Sequence, residues 1–527
     1  MSPAPLTLGQ MLTAQARLQP ERIGARDLER AMTFRQWDER ARRLANGLLG
    51  LGLQAGDRVA ALAYNRVEWA EIYAAAAKAG LVVTPINFRL TPEEALYILE
   101  DSGTAAVIVE DALLATVDAL RDRLALPADR FLQIGDGPTA SGWRDYEALI
   151  EAARPDAPSA PVDCDAPWCL MYTSGTTGKP KGVIRGHRGM AMLALMTQVE
   201  LSLKREDDAL LVMPMHHANS LNFFTSFAMI GATVTIFSRK SFDASLALRT
   251  FAETGATFTS LTPTHFAMML DAPAADRRGD FGRVEKLMIS SAPARADTKR
   301  AVMEMFPNSG LYELYGSTEQ GWATMLHPHE QFEKLGTVGR EVTGSAPILL
   351  LDDDGNEVPD GEPGELFSCS PYSFDGYWKL PEKTAEAMRG DYVSVGDVAR
   401  RDEDGYIQLI DRKKNLIISG GENIYPSEVE GVLGDHPAVR DVAVIGRPDP
   451  KWGETVCAAV VLRSGESLDE ASLIEWARDK LAGYKRPRGV VFLKPDEMPR
   501  NATGKILHRE LRALLADKAD GGAEGES

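Results

Sequence analysis

The 527-residue chain is poor in cysteine, in aromatic residues and in long apolar runs. Its four cysteines, Cys164, Cys169, Cys369 and Cys457, have no metal-ligand spacing and are too few for a disulfide framework. No apolar run approaches the roughly 20 residues that span a bilayer. The N-terminal residues also lack the basic and apolar segments of a signal peptide. These absences predict a protein of the reduced cytoplasm with no transmembrane segment.

Positive charge is scarce as well. The 58 lysine and arginine residues are outnumbered by 76 aspartate and glutamate residues, which gives a net charge of -18. Nonspecific binding of nucleic acid needs a basic surface, so nucleic acid is excluded as the expected partner. A hydrophobic fraction of 44% supplies an ample core, and the length predicts two or three domains. Composition leaves open whether the chain forms a homo-oligomer.

Helix and strand patterns alternate along most of the chain. This alternation is typical of parallel βαβ units and predicts an α/β fold, with a large N-terminal domain of parallel-sheet subdomains over residues 1–410. Turn-rich short strands at residues 352–370 predict a β-rich subdomain within it. Residues 411–515 have the pattern of a small α+β C-terminal domain. The small polar residues 516–527 predict a disordered tail.

A Gly-rich loop, TSGTTGKPKG at residues 173–182, carries the strongest signal for chemistry. A strand pattern precedes it, and α/β sheets bind ligands where their strands end. Glycines allow backbone N–H groups to approach an oxyanion, and hydroxyl and ammonium groups add donors. An NTPase P-loop follows its lysine with Ser or Thr and opens a helix, whereas Pro180 follows Lys179. We therefore interpret the loop as a cationic flap over leaving phosphates. Its candidate ligands are Thr173, Ser174, Gly175, Thr176, Thr177, Gly178, Lys179 and Lys181.

The chain resembles the superfamily of adenylate-forming enzymes, which includes acyl- and aryl-CoA synthetases, peptide-synthetase adenylation domains and luciferases. The Gly-rich loop matches the signature of that family. Four further motifs follow in the family's order: YGSTE at 315–319, SVGD at 394–397, DRKKNLIISGGENIYP at 411–426 and PRNATGKI at 499–506. The resemblance implies that a carboxylic acid displaces pyrophosphate from ATP, and that a thiol then displaces AMP from the acyl-adenylate.

The resemblance also implies an ATP site that several motifs assemble. The loop would hold the β- and γ-phosphates, and Tyr315 would stack on adenine. Glu319 and the Thr173 hydroxyl would hold Mg²⁺, a hard ion that prefers oxygen ligands, and both would be catalytic. Asp397 would accept hydrogen bonds from the ribose hydroxyls, and Arg412 would donate to the same sugar. Further contacts of the YGSTE motif with ATP would come from Gly316, Ser317 and Thr318.

A lysine near the C-terminus has an implied catalytic role. Lys505, in the NATGK turn, would bridge the acyl carboxylate and the α-phosphate of ATP, a task that suits a long flexible ammonium. Because Lys505 is more than 300 residues from the loop, the small domain is expected to be mobile and to rotate about a hinge at Lys414. A second pose would present Gly420 and Gly421, which have no side chains and would line a tunnel for the pantetheine arm. The implied cofactors are ATP, Mg²⁺ and coenzyme A.

The pocket for the acid is expected around the segment PMHHANS at residues 214–220. The resemblance favours His217 as a pocket residue and leaves its neighbour His216 as an alternative. No aspartate in this segment is available to bind an α-amino group, which argues against an amino acid. We expect an apolar acid, either fatty or with an aromatic or alicyclic ring. The other predicted pocket residues are Ser290, Ser291 and Trp322.

Three functions are compatible with these residues. The favoured one is an acid–CoA ligase, which converts ATP, a small-molecule carboxylic acid and CoA into acyl-CoA, AMP and pyrophosphate. The alternative is a stand-alone adenylating enzyme that loads the acyl group onto a separate carrier protein. A nucleotide-binding protein without catalysis is the third, and Lys505, Glu319 and Arg412 argue against it.

Overall fold

A computed structural model describes residues 7–158, 161–173, 179–290, 294–419, 422–500 and 506–520 of the chain. The chain divides into two compact units, the first being Met1–Pro347 with Ser368–Val393 and the second Ile348–Phe367 with Ser394–Ser527. We expected one boundary near residue 410. The division differs because residues 348–367, which interrupt the first unit in sequence, form strands that pair with strands after Ser394 and so belong to the second unit.

The described residues contain fifteen α-helices, none of which has both the length and the hydropathy that crossing a membrane requires. They are α1 Leu8–Leu18, α2 Phe34–Gly50, α3 Glu68–Ala79, α4 Pro92–Ser102, α5 Leu114–Asp118, α6 Tyr146–Ala152, α7 His187–Glu200, α8 Ala218–Ile230, α9 Ala244–Thr254, α10 Pro263–Leu270, α11 Ala296–Met305, α12 Pro381–Ala387, α13 Pro426–Gly434, α14 Glu470–Trp476 and α15 His508–Asp520.

The strands of the same residues are β1 Ile23–Arg26, β2 Ala31–Thr33, β3 Arg58–Leu62, β4 Val82–Pro85, β5 Thr104–Glu110, β6 Phe131–Ile134, β7 Arg144–Asp145, β8 Pro167–Thr173, β9 Lys181–Gly186, β10 Asp208–Leu211, β11 Thr233–Ile236, β12 Phe258–Leu261, β13 Lys286–Ser290, β14 Gly310–Ser317, β15 Gly321–Leu326, β16 Arg340–Glu341, β17 Leu349–Leu351, β18 Gly364–Phe367, β19 Met388–Arg389, β20 Tyr392–Val393, β21 Asp397–Arg401, β22 Ile407–Arg412, β23 Ile417–Ser419, β24 Glu422–Ile424, β25 Val439–Asp449, β26 Gly453–Leu462 and β27 Gly489–Phe492.

Two large sheets form the first unit. One has the strand order β16-β15-β14-β13-β12-β10-β11-β1-β2, and the other has the order β7-β6-β5-β3-β4-β8-β9. Their central strands are parallel, while β2, β9, β15 and β16 run antiparallel to their neighbours. Parallel strands need crossover connections, and the intervening helices supply them. The predicted α/β class of this part of the chain is therefore confirmed.

Aromatic residues fill the core of the first unit. Trp37 of α2 and Tyr73 of α3 both pack on Phe224 of α8, and Trp168 of β8 lies edge-on to Tyr73. All four side chains are fully buried, and each buried ring stabilises the fold by about 1.5–3 kcal/mol. The core therefore fixes β8, the strand that leads into the Gly-rich loop, against α2, α3 and α8.

The second unit contains two smaller sheets. An antiparallel sheet of order β17-β18-β21-β22 corresponds to the predicted β-rich part. The other sheet has the order β24-β23-β26-β25, with β27 parallel to β26, and apolar residues of α13 and α14 pack on it. Helix α15 continues to Asp520, so it includes residues 516–520 of the stretch that we expected to be a disordered tail. Residues 521–527 lie outside the described part of the chain.

Candidate active site

The two strands that flank the Gly-rich loop form a hairpin. Thr173 at the end of β8 lies opposite Lys181 at the start of β9 in antiparallel register. A strand follows Pro180, and the helix of an NTPase P-loop does not, as the proline predicted. Lys179 lies with its Nζ 5.4 Å from the centre of the Tyr97 ring. The predicted ligands Ser174, Gly175, Thr176, Thr177 and Gly178 lie outside the described residues.

Glu319 lies beside this hairpin and accepts two hydrogen bonds on one oxygen. The Tyr377 hydroxyl donates to its Oε1 at 2.9 Å, and the Thr173 hydroxyl donates to the same atom at 3.4 Å. Lys181 places its Nζ 3.8 Å from the centre of the Tyr377 ring. The structure thus brings three predicted residues together, Thr173, Lys181 and Glu319, and adds Tyr377. Tyr377 lies 58 residues from Glu319 in sequence and belongs to none of the recognised motifs.

Burial shifts the pKa values of two side chains near Glu319, Tyr377 and Lys181. Burial and the Glu319 carboxylate both raise the pKa of Tyr377 well above its usual value, so the phenol stays protonated and donates. Burial lowers the pKa of Lys181, while the negative charge of Glu319 opposes that change. Glu319 itself is only 7% exposed. The carboxylate and the Thr173 hydroxyl offer oxygen ligands alone, which suits Mg²⁺.

Arg185 holds the backbone next to Glu319 from within the sheet. Its guanidinium lies on β9 and donates from Nη1 to the carbonyl oxygen of Thr318 at 2.9 Å. On the other side, the Phe374 N–H donates to the carbonyl oxygen of Glu319 at 2.7 Å. Burial lowers the pKa of Arg185, and the carboxylates of Asp375 and Glu319 oppose the change. Sequence analysis missed Arg185 because an arginine inside a strand pattern gives no motif signal.

The YGSTE motif spans the end of β14 and a tight turn. A register shift falls between Tyr315 and Gly316, and a Cβ on Gly316 would lie only 2.0 Å from the carbonyl oxygen of Gly321. Glycine is therefore required at this close approach. The Ser317 hydroxyl donates to Gln320 Oε1 at 3.1 Å and accepts from its N–H at 3.0 Å, which closes the turn that leads to Glu319. Tyr315 is 9% exposed.

The predicted ribose ligands face each other in the second unit. Asp397 and Arg412 are paired across β21 and β22, and Arg412 Nε donates to Asp397 Oδ1 at 2.8 Å. Lys414 is exposed and lies in the 3₁₀ turn Lys413–Asn415, which joins the four-stranded sheet of this unit to the five-stranded one. The predicted residues Gly420, Gly421 and Lys505 lie outside the described residues.

The predicted acid-pocket residues surround the start of α8. His217 is the N-cap residue of α8 and accepts the N–H of Asn219 on Nδ1 at 3.3 Å. The ring of His216 lies edge-on to the ring of Phe88, with 5.2 Å between the ring centres. Burial lowers the pKa of His216 to about 3. Trp322 packs on Phe223 of α8 at 5.2 Å.

Two further contacts complete this region. The Trp322 indole N–H donates to the Thr197 hydroxyl at 2.8 Å. Ser290 is the last residue of β13, and Ser291 lies outside the described residues. Asn219, which sequence analysis did not select, donates to the Ser290 hydroxyl at 3.0 Å. The spacing of two residues from His217 at a helix start was the available signal for Asn219.

Comparison with known proteins covers almost the whole chain. A family model described as AMP-binding enzyme matches residues 12–378, and one described as AMP-binding enzyme C-terminal domain matches residues 428–505. A feruloyl-CoA synthase of Amycolatopsis sp is 35% identical over 507 residues, which are 96% of this chain and 98% of that relative.

Two solved structures share the fold. The anthranilate CoA ligase AuaEII in complex with anthranoyl-AMP has a TM-score of 0.87 and 27% identity, and the match covers 97% of this chain and 98% of that one. The o-succinylbenzoate coenzyme A synthetase of Bacillus subtilis in complex with ATP and magnesium has a TM-score of 0.81 and 28% identity over 95% and 99% of the two chains.

Proposed function

The chain belongs to the family of AMP-binding enzymes, and from that membership we propose which of its residues act in an acid–CoA ligase. The protein is an ATP-dependent ligase that joins a carboxylic acid to coenzyme A through an acyl-adenylate, and it uses Mg²⁺. An oxygen of the acid attacks the α-phosphorus of ATP, and the bond to the departing pyrophosphate breaks. The CoA sulfur then forms a bond to the acyl carbon, AMP leaves, and the thiol proton is released.

The first step brings an anion to a polyanion, so positive charge and hydrogen-bond donors must offset the repulsion. We assign residues 173–181 to the β- and γ-phosphates, and Thr173 and Glu319 to Mg²⁺. A bound Mg²⁺ would supply positive charge to the phosphates. The observation that carries this assignment is that Thr173 and Tyr377 both donate to Glu319, while Lys181 lies against the Tyr377 ring.

The remaining roles extend the same proposal. Asp397 and Arg412 bind the ribose, and the ion pair between them orients both side chains before ATP arrives. Lys505 bridges the acyl carboxylate and the α-phosphate. Lys414 is the hinge of the C-terminal residues, and Gly420 and Gly421 line the path of the pantetheine arm.

The proposed substrate is an aromatic acid, and the proposed thiol is CoA in the cytoplasm, where ATP and CoA are both available. Two of the similar proteins are named for aromatic acids, feruloyl and anthranilate. The predicted pocket residue Trp322 packs on Phe223 of α8, the helix that begins after His217. Aromatic side chains pack favourably on other planar rings, so this pair favours an acid with an aromatic ring over one with a flexible chain.

Pyrophosphate release tests this proposal across acids of different length and ring content, with CoA, with a holo-carrier protein, or with neither. We expect release with aromatic acids and thioester formation with CoA. Glu319→Gln removes the carboxylate at nearly constant size and should abolish release. Pyrophosphate release with every acid tested, together with thioester formation on the carrier protein and none on CoA, would favour the carrier alternative. No release with any acid would contradict the assignment of these residues.

A further inference from the structure

Three polar side chains form a buried cluster at the start of α8. Asn219 Nδ2 donates to the Ser260 hydroxyl at 2.9 Å and to the Ser290 hydroxyl at 3.0 Å, and the two hydroxyl oxygens are 3.5 Å apart. Asn219 is 6% exposed, and both serines are also buried. We call these three residues the Asn219 cluster.

The Asn219 cluster lies where a ligand of this fold is expected. Ser260 belongs to β12 and Ser290 ends β13, and these strands are parallel neighbours. Ligands of α/β sheets bind beyond the carboxyl ends of such strands. The backbone N–H of Asn219 also bonds the side chain of His217, a predicted acid-pocket residue.

The Asn219 amide differs from the other buried polar side chains of α8 in the partners it bonds. Helix α8 buries apolar side chains such as Leu221 and Phe223, and it also buries the polar side chains of Ser220, Asn222, Thr225 and Ser226. Burying an amide and two hydroxyls is unfavourable unless their hydrogen bonds are made. The hydroxyls of Ser220, Thr225 and Ser226 meet this need by donating to backbone carbonyl oxygens, whereas the Asn219 amide bonds side chains of two neighbouring strands.

Counting donors and acceptors shows what the Asn219 cluster lacks. An asparagine amide has two N–H donors and one carbonyl acceptor. The two serines take both donors. Among the described residues, none donates a hydrogen bond to the carbonyl oxygen of Asn219.

We infer that the carbonyl oxygen of Asn219 accepts a hydrogen bond from a hydroxyl or N–H group on the ring of the acid. This inference rests on the proposed function and narrows its substrate class to aromatic acids that carry a donor. One hydrogen bond of this kind is expected to change kcat/KM by about tenfold. A methoxy group, which accepts but cannot donate, should not substitute for the donor.

Matched pairs of acids test the inference on the wild-type enzyme. Indole-3-acetate carries a ring N–H, and naphthalene-1-acetate has a similar bicyclic ring without it. The hydroxycinnamates can be compared with the corresponding methoxycinnamates, the substituent being placed ortho, meta or para. We measure kcat/KM for acyl-CoA formation with each acid. At least one matched pair should favour the donor by about tenfold or more.

Two variants then connect the preference to the side chain. Asn219→Leu keeps the approximate shape and should reduce the donor preference to near unity. Thr225→Val is the control. It removes a buried hydroxyl from the same helix, and that hydroxyl donates to the Leu221 carbonyl oxygen and not to the Asn219 cluster. The control should keep the preference of the wild type.

Each outcome decides a separate point. Equal kcat/KM within all pairs, or preference for the methoxy acids, would overturn the inference and leave the ligase function intact. An equal loss for both members of a pair in Asn219→Leu would also overturn it, because it would show a structural role alone. No acyl-CoA from any acid would instead contradict the proposed function. If Asn219→Leu does not fold, the wild-type ratios still decide the donor preference.

Discussion

Replacing Tyr377 by phenylalanine removes one hydroxyl from the candidate magnesium site. The ring stays, so its contact with Lys181 is retained, while Glu319 loses the shorter of its two hydrogen bonds. A hydrogen bond to a charged group contributes about 1.5–3 kcal/mol. If that energy orients the carboxylate for the transition state, kcat for adenylation should fall about 10- to 100-fold. The apparent constant for Mg²⁺ should rise, and KM for the acid should change little.

The assay is pyrophosphate release at saturating acid, repeated over a magnesium titration. Tyr146→Phe is a matched control, because Tyr146 donates to the Glu71 carboxylate at 2.8 Å in a pair of the same kind between α6 and α3. That variant should lose stability without a change in magnesium dependence. An unchanged magnesium constant and kcat in Tyr377→Phe, or an equal loss of activity in both variants, would refute the role assigned to the Tyr377 hydroxyl.

Variants at Lys505, Arg185 and His187 test other parts of the structure. Lys505→Ala should abolish adenylation but leave thioester formation from supplied acyl-AMP largely intact, and equal loss of both half-reactions would reject the two-pose assignment. Arg185→Met should lower kcat for adenylation about tenfold, given the bond to the Thr318 carbonyl. Arg185→Lys should recover part of it, and the exposed control Arg188→Met should behave as wild type. Burial lowers the pKa of His187 to about 4. Below about pH 6.5 the unfolded chain therefore binds a proton that the folded protein does not, and the free energy of unfolding falls by about 2 kcal/mol by pH 5. Urea unfolding of His187→Leu should lack this contribution, and an unchanged pH dependence would contradict the assignment.

Sequence patterns were sufficient for the α/β class and for the absence of a P-loop helix directly after Lys179. Both depend on local signals: periodicity, glycine spacing and the proline after Lys179. The excursion at residues 348–367 was not predicted, because its assignment depends on which strands pair after Ser394. The helix at residues 516–520 was missed because polar composition does not exclude helix.

The candidate site was predictable only where a motif preserved it. Thr173 and Glu319 are 146 residues apart, and they were paired through a family resemblance rather than through spacing. Arg185 and Tyr377 belong to no motif, and Asn219 lies in the PMHHANS segment but was not selected. Their hydrogen-bond partners lie 133 residues away for Arg185, 41 and 71 for Asn219, and 58 for Tyr377. Such contacts depend on tertiary packing, which periodicity does not encode.

The two donors to Glu319 share Oε1, and among the described residues none donates to Oε2. The carboxylate is thus already aligned in the free enzyme, and its second oxygen faces no competing donor from those residues. A cation that binds Oε2 need not displace Tyr377 or reorient the side chain. The entropy cost of orienting the Glu319 carboxylate is therefore incurred during folding. Metal and nucleotide then bind to a preorganised site.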